Sequence, residues 1–496
     1  MSVVRPLEPV PAPTDVEHQA LALVAELAAG LRDAGVRYCH WKSNEAIARS
    51  LSGDNDLDLL VAPEDAGRFL AVLHGLGFRA ASPPPGRHVP GIVDLFGLDD
   101  ATGRVVHAQA HFRLVVGDDM TKNVDLPLVA AYLDSCRHDG VLPLPSPEFE
   151  YLVLLVRMGL KHCAVSSQLV RQGRPTASER RELAQLEADV DPAEVERLRA
   201  THLPELSPAL LRSLRHALAP DADRLTRARA GRRLLRALAG YARRPLHQDL
   251  LLRVGKRAWR PIRGRLPGGD PRRRPAAGGL MVAVLGGDGA GKSTTVGTLA
   301  TALGGVLVTR TGHLGKPPRS LLTRVGRRMV RLVDGGAPPV TTPDTPSSAF
   351  PGHGTLVWHV LTARDRARER RRLHRAVAAG EVVVCDRHPL PMLRTMDGPR
   401  IARIPDLQRR PLARWLARAE ARYYRRMPPP DLLLVLRASP DVALKRRPEQ
   451  DRDFVRRRAE EIDRVPWRGR NVVVVDADRP LKEVQRVAAR AVWDRL

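Results

Sequence analysis

Leu285-Gly286-Gly287-Asp288-Gly289-Ala290-Gly291-Lys292-Ser293-Thr294 fits the pattern G-x-x-x-x-G-K-[ST]. The apolar run ahead of it, Leu280 to Leu285, reads as a buried strand, and Ser293 to Leu303 behind it reads as a helix. In that context the pattern cradles phosphate. Glycines let the backbone curl so that several N–H groups point inward, and the helix start adds the positive end of its dipole. Lys292 has the reach for the β- and γ-phosphates of ATP, and the Ser293 hydroxyl is a ligand type for Mg²⁺. The expected nucleotide-binding set is Gly286, Asp288, Gly289, Ala290, Gly291, Lys292, Ser293 and Thr294, with ATP and Mg²⁺ as cofactors.

Working outward, 496 residues are too many for one ordinary core, so two or three domains are expected. No apolar run approaches the ~20 residues that a membrane-spanning helix needs. Residues 1–14 are proline-rich and lack the basic-then-apolar order of a signal peptide. Cys39, Cys136, Cys163 and Cys385 lie far apart with no C-x-x-C, which argues against a zinc knuckle or a disulfide framework and suits a reducing, cytoplasmic setting. The net charge of +26 is uneven: residues 1–150 are net acidic, and the remainder carries the arginine-rich excess. Abundant Ala and Pro alongside Arg match a GC-rich coding sequence. With no nucleic-acid-binding motif and no aromatics interleaved among the cations, nucleic acid is not the expected partner.

Residues 1–15 read as a disordered leader. A helix is predicted from Val16 to Ala34, then short strands and turns to Leu144, with Leu57–Val61 and Val105–Val116 the clearest strands. Pro147 to Arg171 reads as helix, and an arginine-rich helical stretch continues to Trp259. Within it Asp191-Pro192 is a helix start, a cap followed by proline in the first turn. Ile262 to Gly279 has linker chemistry. The division expected is a first domain over 16–146, a helical spacer over 147–261, a linker over 262–279 and a second domain over 280–496. In that second domain the apolar runs Met281–Leu285, Val306–Val308, Val382–Cys385, Leu432–Leu436 and Val472–Val475 alternate with helical stretches. Unbroken runs belong to strands buried on both faces, so the fold class is α/β with a five-stranded parallel sheet flanked by helices.

Further motifs follow the glycine loop in order. Thr309-Arg310 ends the second run; Ala363-Arg364-Asp365-Arg366 lies on a helix; Cys385-Asp386-Arg387-His388 ends the third run. Pro430-Asp431 opens the fourth, followed by Ser439-Pro440-Asp441-Val442-Ala443-Leu444-Lys445-Arg446, and Asp476-Ala477-Asp478-Arg479-Pro480 closes the fifth. In order and spacing, residues 280–496 resemble thymidylate kinases and related nucleoside-monophosphate kinases. The resemblance implies that Lys292 and Mg²⁺ handle the donor, and that Asp386 holds Mg²⁺ or its waters. Arg366 and Arg387 would clamp the acceptor phosphate, guanidinium forks being suited to phosphate oxygens. Asp478 would lie on the adenine side. The stretch Arg446 to Arg458 looks like a mobile lid whose arginines, Arg452 and Arg456 among them, close on the transferring group. Gly289 in place of an arginine resembles members that take their catalytic arginine from that lid. The sequence also departs from the family. Thr311-Gly312-His313 replaces the glutamate after Thr-Arg, and Thr362 stands where an aromatic would stack on thymine, with Trp358 one turn earlier either a substitute or a core residue. The segment Pro389 to Arg400 lacks the Ser-x-x-Tyr-Gln element, and a Pro- and Arg-rich insertion fills 314–353.

In the first domain Asp56 and Asp58 are two apart on a strand, so they share a face and suit a two-metal clamp for Mg²⁺. His40-Trp41-Lys42-Ser43 followed by Gly53-Asp54-Asn55-Asp56-Leu57-Asp58-Leu59-Leu60-Val61 resembles a nucleotidyltransferase fold over about residues 20–145. That implies an α+β domain, either active or degenerate and only binding. A third carboxylate on a later strand is not evident; the candidate strand presents His107, Gln109 and His111 on one face. Gln248 to Arg265 is basic and amphipathic, either a helix docked on its own domain or one lying on an anionic membrane.

The expected function is an ATP- and Mg²⁺-dependent phosphotransferase of the thymidylate kinase type acting on a nucleoside monophosphate or related phosphorylated small molecule. Its catalytic residues would be Lys292, Arg366, Asp386, Arg387, Arg452 and Arg456. Two alternatives stay open: an ATP-binding regulatory protein without acceptor phosphorylation, and a bifunctional nucleotidyltransferase and kinase of a biosynthetic pathway. A homodimer is compatible with the sequence.

Overall fold

The computed structural model describes residues 20–163, 174–263, 270–333, 352–393 and 395–496. The leader, residues 164–171 of the helix expected to reach Arg171, the linker residues 264–269 and much of the 314–353 insertion lie outside them. The strands in chain order are β1 (Tyr38–His40), β2 (Leu57–Val61), β3 (Arg79–Ser82), β4 (Ile92–Leu98), β5 (Val105–His111), β6 (Leu114–Val116) and β7 (Val124–Leu126). They continue with β8 (Arg274–Pro275), β9 (Leu280–Gly286), β10 (Thr309–His313), β11 (Val382–Asp386), β12 (Leu432–Arg437) and β13 (Val472–Asp476). The chain divides into two compact units, one of residues 1–78 with 87–262 and the other of 79–86 with 263–496.

The second unit is built on the sheet β10-β11-β9-β12-β13, with every neighbouring pair parallel. Central β9 is buried along its whole length, as its unbroken Leu-Met-Val-Ala-Val-Leu run requires. Four of the five apolar runs are strands. The fifth, Val306–Val308, is not: the strand is Thr309–His313, three residues later. It lies at the sheet edge, half exposed, and so needs no apolar run; Leu307 and Val308 are buried just before it. Thr309-Arg310 therefore opens this strand and does not end it. The insertion carries a helix, Leu321–Val333. The expected linker is structured at its end. There β8 pairs antiparallel with β3, Ala81 opposite Pro275, and Arg272 donates to Asp270 and to the Gly304 carbonyl.

In the first unit β1, β2, β5 and β4 are neighbours in that order, β2 running parallel to β5 and antiparallel to β1. The stretch expected as one strand over Val105–Val116 is two, β5 and β6, broken at Phe112-Arg113. Period two divides β2 between two cores. Leu57, Leu59 and Val61 pack with the helix Ala22–Asp33, whereas Leu60 packs with the helices after Ser146. Those helices are no spacer. Leu152 to Val156, Met158, Leu160, Leu210, Leu214 and Leu234 share a continuous core with Cys39, Trp41 and Leu60, because the helix Pro147–His162 has a broad apolar face that needs a sheet to bury against. Asp191 does cap its helix, accepting from Ala193 N at 2.9 Å. The helix Leu246–Arg263 docks through its charges: Arg257 donates to Asp118 at 2.6 Å and Lys256 to the Met120 carbonyl at 2.9 Å. Leu250, Leu251, Val254 and Trp259 face outward.

Glu150, on the helix Pro147–His162, supplies a stability test. Burial pushes its carboxyl up to about 7 from 4.5, with Glu182 adding to the shift and Asn44 opposing it. Between those values the folded chain holds a proton that the unfolded chain releases. Stability therefore falls as pH rises from 4.5 through 7, by about 3 kcal/mol at most. Denaturant unfolding at pH 5 and pH 8 should show this loss in the natural chain and a flatter profile in Glu150→Gln.

Candidate functional site

Parallel register brings the chemistry together. β11 lies beside β9 with Asp386 opposite Val284, so Asp386 and Arg387 emerge next to the loop that leaves β9 at Gly286. β9 has β11 on one side and β12 on the other, and such a reversal of strand order opens a crevice at the strands' carboxyl ends. Gly289 has φ +81, and a Cβ there would lie 2.6 Å from the Ala443 carbonyl oxygen, so neither alanine nor arginine fits. Gly291, φ +86, caps the helix Lys292–Gly304, whose first N–H groups, with Ser293 and Thr294, open to solvent.

The loop is ringed by cations. Lys292 Nζ donates to the Gly287 carbonyl at 2.6 Å and stands 3.9 Å from Asp288. Arg458 donates to Asp288 at 2.7 Å and Arg387 at 3.3 Å. Burial, together with neighbouring Arg387, pulls the Lys292 ammonium down to about 8. Burial alone would raise Asp288, yet Arg458, Lys292 and Arg387 hold it low. Three cations thus share one loop carboxylate.

Ser293 Oγ donates to Asp386 Oδ2 at 3.2 Å, while Asp386 Oδ1 is buried without a hydrogen-bond partner. A buried orphan carboxylate oxygen beside the loop hydroxyl fits Mg²⁺, which prefers one or two carboxylates plus substrate phosphates. His313, paired across from Asp386 in the register, has Nε2 4.0 Å from the same carboxylate.

Other expected residues fall differently. Arg366 is buried and donates to the carbonyls of Leu314 (2.9 Å) and Gly315 (3.0 Å), to Tyr424 Oη (2.6 Å) and to Asp397. Those contacts take four of the five N–H groups of a guanidinium, so Arg366 anchors the site wall before it clamps a ligand. Arg387, held at φ +66, shares Asp397 at 3.4 Å. The expected lid is largely a docked helix, Arg452–Arg464, with Val455, Ala459 and Ile462 buried. Its outer residues Arg452 and Arg456 are exposed; the arginine that reaches the loop is Arg458, on the buried face of the helix. Asp478 is exposed and accepts from Ser439 N at 2.9 Å, and Arg446 ties the Ala477 carbonyl (3.0 Å) to that of Gly289 (3.4 Å). Trp358 is half-buried beneath Arg319, and Thr362 is spent on the Trp358 carbonyl. Sequence reasoning missed Asp397 and the bridging role of Arg446, and held Arg458 only as the last arginine of the expected lid. Only the period of the Arg452–Arg464 helix, which sets Arg458 on the same face as Val455 and Ile462, could have marked Arg458.

In the first unit Asp56 and Asp58 line one cleft, as their spacing predicts. A further carboxylate, Asp94 on β4 opposite Gln109, joins the same cluster. His107 bridges Asp56 (2.8 Å) and Asp94 (2.9 Å); Gln109 donates to Asp94 (3.0 Å) and meets His111 (2.9 Å). Lys42 Nζ sits 2.8 Å from Asp58. Burial would raise Asp58, but Lys42 and His111 hold it far below the carboxylate range. The Mg²⁺ clamp expected at Asp56 and Asp58 does not fit this donor set, since each carboxylate already faces a basic group of the protein.

An exposed charge on a helix contributes little, whereas a charged hydrogen bond in a partly closed site contributes about 1.5–3 kcal/mol. Arg458→Ala should weaken binding of Mg²⁺–ATP at least about tenfold by calorimetry, while Arg452→Ala and Arg456→Ala stay within about twofold. No protein-family model matches this sequence, and no curated protein matches it.

Proposed function

We propose that the protein is an ATP- and Mg²⁺-dependent phosphotransferase of the thymidylate kinase type, acting on a nucleoside monophosphate or a related phosphorylated small molecule. The observation that carries this reading is the meeting of Lys292, Ser293 and Asp386, with its orphan Oδ1, at the end of β9 and β11. Phosphoryl transfer asks a protein mainly for positioning and for neutralising charge on the phosphoryl oxygens. The loop N–H groups hold the triphosphate, and Lys292 turns from the Gly287 carbonyl to the β- and γ-oxygens. Arg458 and Arg387 exchange Asp288 for phosphate oxygens, a swap that keeps both guanidinium groups paired. Mg²⁺, when bound, supplies charge neutralisation beside Ser293 and Asp386. Asp397 orients Arg366 and Arg387 on the side where an acceptor phosphate would enter.

A second reading, ATP-gated binding without phosphorylation of an acceptor, draws on Arg366. With most of its donors committed to Leu314, Gly315, Tyr424 and Asp397, the acceptor clamp is incomplete. Purified protein with labelled ATP and a panel of nucleoside and sugar monophosphates separates the two. The kinase reading expects acceptor-dependent product. Lys292→Ala should lower that rate by about two to four orders of magnitude, the scale lost when a charge-stabilising group is removed. Asp386→Asn should raise the Mg²⁺ requirement. ATP binding with no product from any acceptor would leave only the gated reading.

A further inference from the structure

The helix Leu246–Arg263 carries its charge inward and its apolar residues outward. Asp249 and Arg253 are buried and paired with each other, Arg257 donates to Asp118, and Lys256 donates to the Met120 carbonyl. At about 100° per residue, those four positions occupy about a third of the helix circumference. The remaining arc presents Leu250, Leu251, Leu252, Val254, Ala258 and Trp259, with Leu251 72% and Trp259 53% exposed. His247 and Gln248, in the first turn, are the polar residues among them. Single apolar residues on a surface need no explanation, but a contiguous face of this kind marks a contact surface.

Charge indicates what the face meets. The carboxylates that touch this helix, Asp118 and Asp249, each already hold one of its arginines. Lys256 is met by a carbonyl instead. Burial pulls its ammonium down, and Arg244 and Arg87 add their repulsion against the opposing pull of Asp249. Among the described residues Arg87, Arg244 and Lys256 have no carboxylate within 4.0 Å. The sequence continues the bias: from Leu250 to Gly269 it holds Arg253, Lys256, Arg257, Arg260, Arg263 and Arg265 and no acidic residue.

We propose that this face lies on an anionic lipid surface, the apolar arc entering the acyl boundary while Arg87, Arg244 and Lys256 meet the headgroup phosphates. A leucine- and tryptophan-bearing face flanked by cations is the arrangement of a helix that rests in the plane of a membrane. No described helix is long and apolar enough to cross one, so the contact is peripheral. A second copy of the chain suits the face less well, because a two-fold contact would set the same cation group against itself. Juxtamembrane cations gain most from an anionic leaflet. The inference stands apart from the kinase reading, since it concerns only residues of the first unit.

The test is sedimentation of the full chain with vesicles of equal parts phosphatidylcholine and phosphatidylglycerol, against phosphatidylcholine alone. The natural chain should bind the anionic vesicles at least about tenfold more tightly, and salt at about 0.5 M should weaken that binding. Leu251→Gln with Val254→Gln should cut it at least about tenfold, whereas Leu322→Gln, at an exposed position of the helix Leu321–Val333 in the other unit, should change it by less than about twofold. Trp259→Phe should retain binding and lose most of the fluorescence quenching that brominated lipid causes in the natural chain. Because the altered positions are exposed, the denaturant midpoints of these variants should match that of the natural chain, which separates lost contact from lost fold. No binding to the anionic vesicles, equal binding to the zwitterionic ones, or binding untouched by the double change overturns the proposal. So does a concentration-dependent dimer that the double change dissolves, which would give the face to a second copy.

Discussion

The parallel pairing of β9 with β11 is the constraint on which the second unit depends. Asp386 opposite Val284 means that the glycine loop and the Asp-Arg turn leave adjacent strands at the same height. A slip of one residue would turn Asp386 to the opposite face of the sheet and put Cys385 or Arg387 in its place. Val282, Val284, Val383 and Cys385 are all fully enclosed, so what opposes the slip is the cost of carrying the Asp386 carboxylate into an apolar layer without a partner. The same apolar wall keeps Asp386 Oδ1 buried and without a hydrogen-bond partner.

Charge is handled differently in the two units. Around the glycine loop Asp288 faces Lys292, Arg387 and Arg458, so cations outnumber their carboxylate and a polyphosphate can complete the set. In the first unit the carboxylates of Asp56, Asp58 and Asp94 are each met by His107 or Lys42.

Legibility tracked the range of the contacts. The loop from Gly286 to Thr294 is read from nine consecutive residues, and four of the five sheet strands from unbroken apolar runs, since both signals are local. The edge strand Thr309–His313 was misplaced because half-exposed strands carry no such run. Asp94 was overlooked because it lies on β4, the antiparallel neighbour of the strand that had been singled out, and adjacency between strands is not written in either one. Helices 147–262 looked like a spacer because their partner surface, the Trp41 and Leu60 face of the sheet, lies some hundred residues earlier.

The sequence by itself determined the α/β class of the second unit and the glycine turn that joins its central strand to the following helix. It also determined that Asp56 and Asp58 share a face. Period and local turn chemistry suffice for these. Tertiary structure alone decided that Arg458, 170 residues from Asp288, is the arginine on the loop, and that Arg366 meets Asp397. It likewise decided that Lys42 answers Asp58. An ion pair depends on where two side chains end in space. Chain separation carries no trace of that until the sheet and its covering helices have closed.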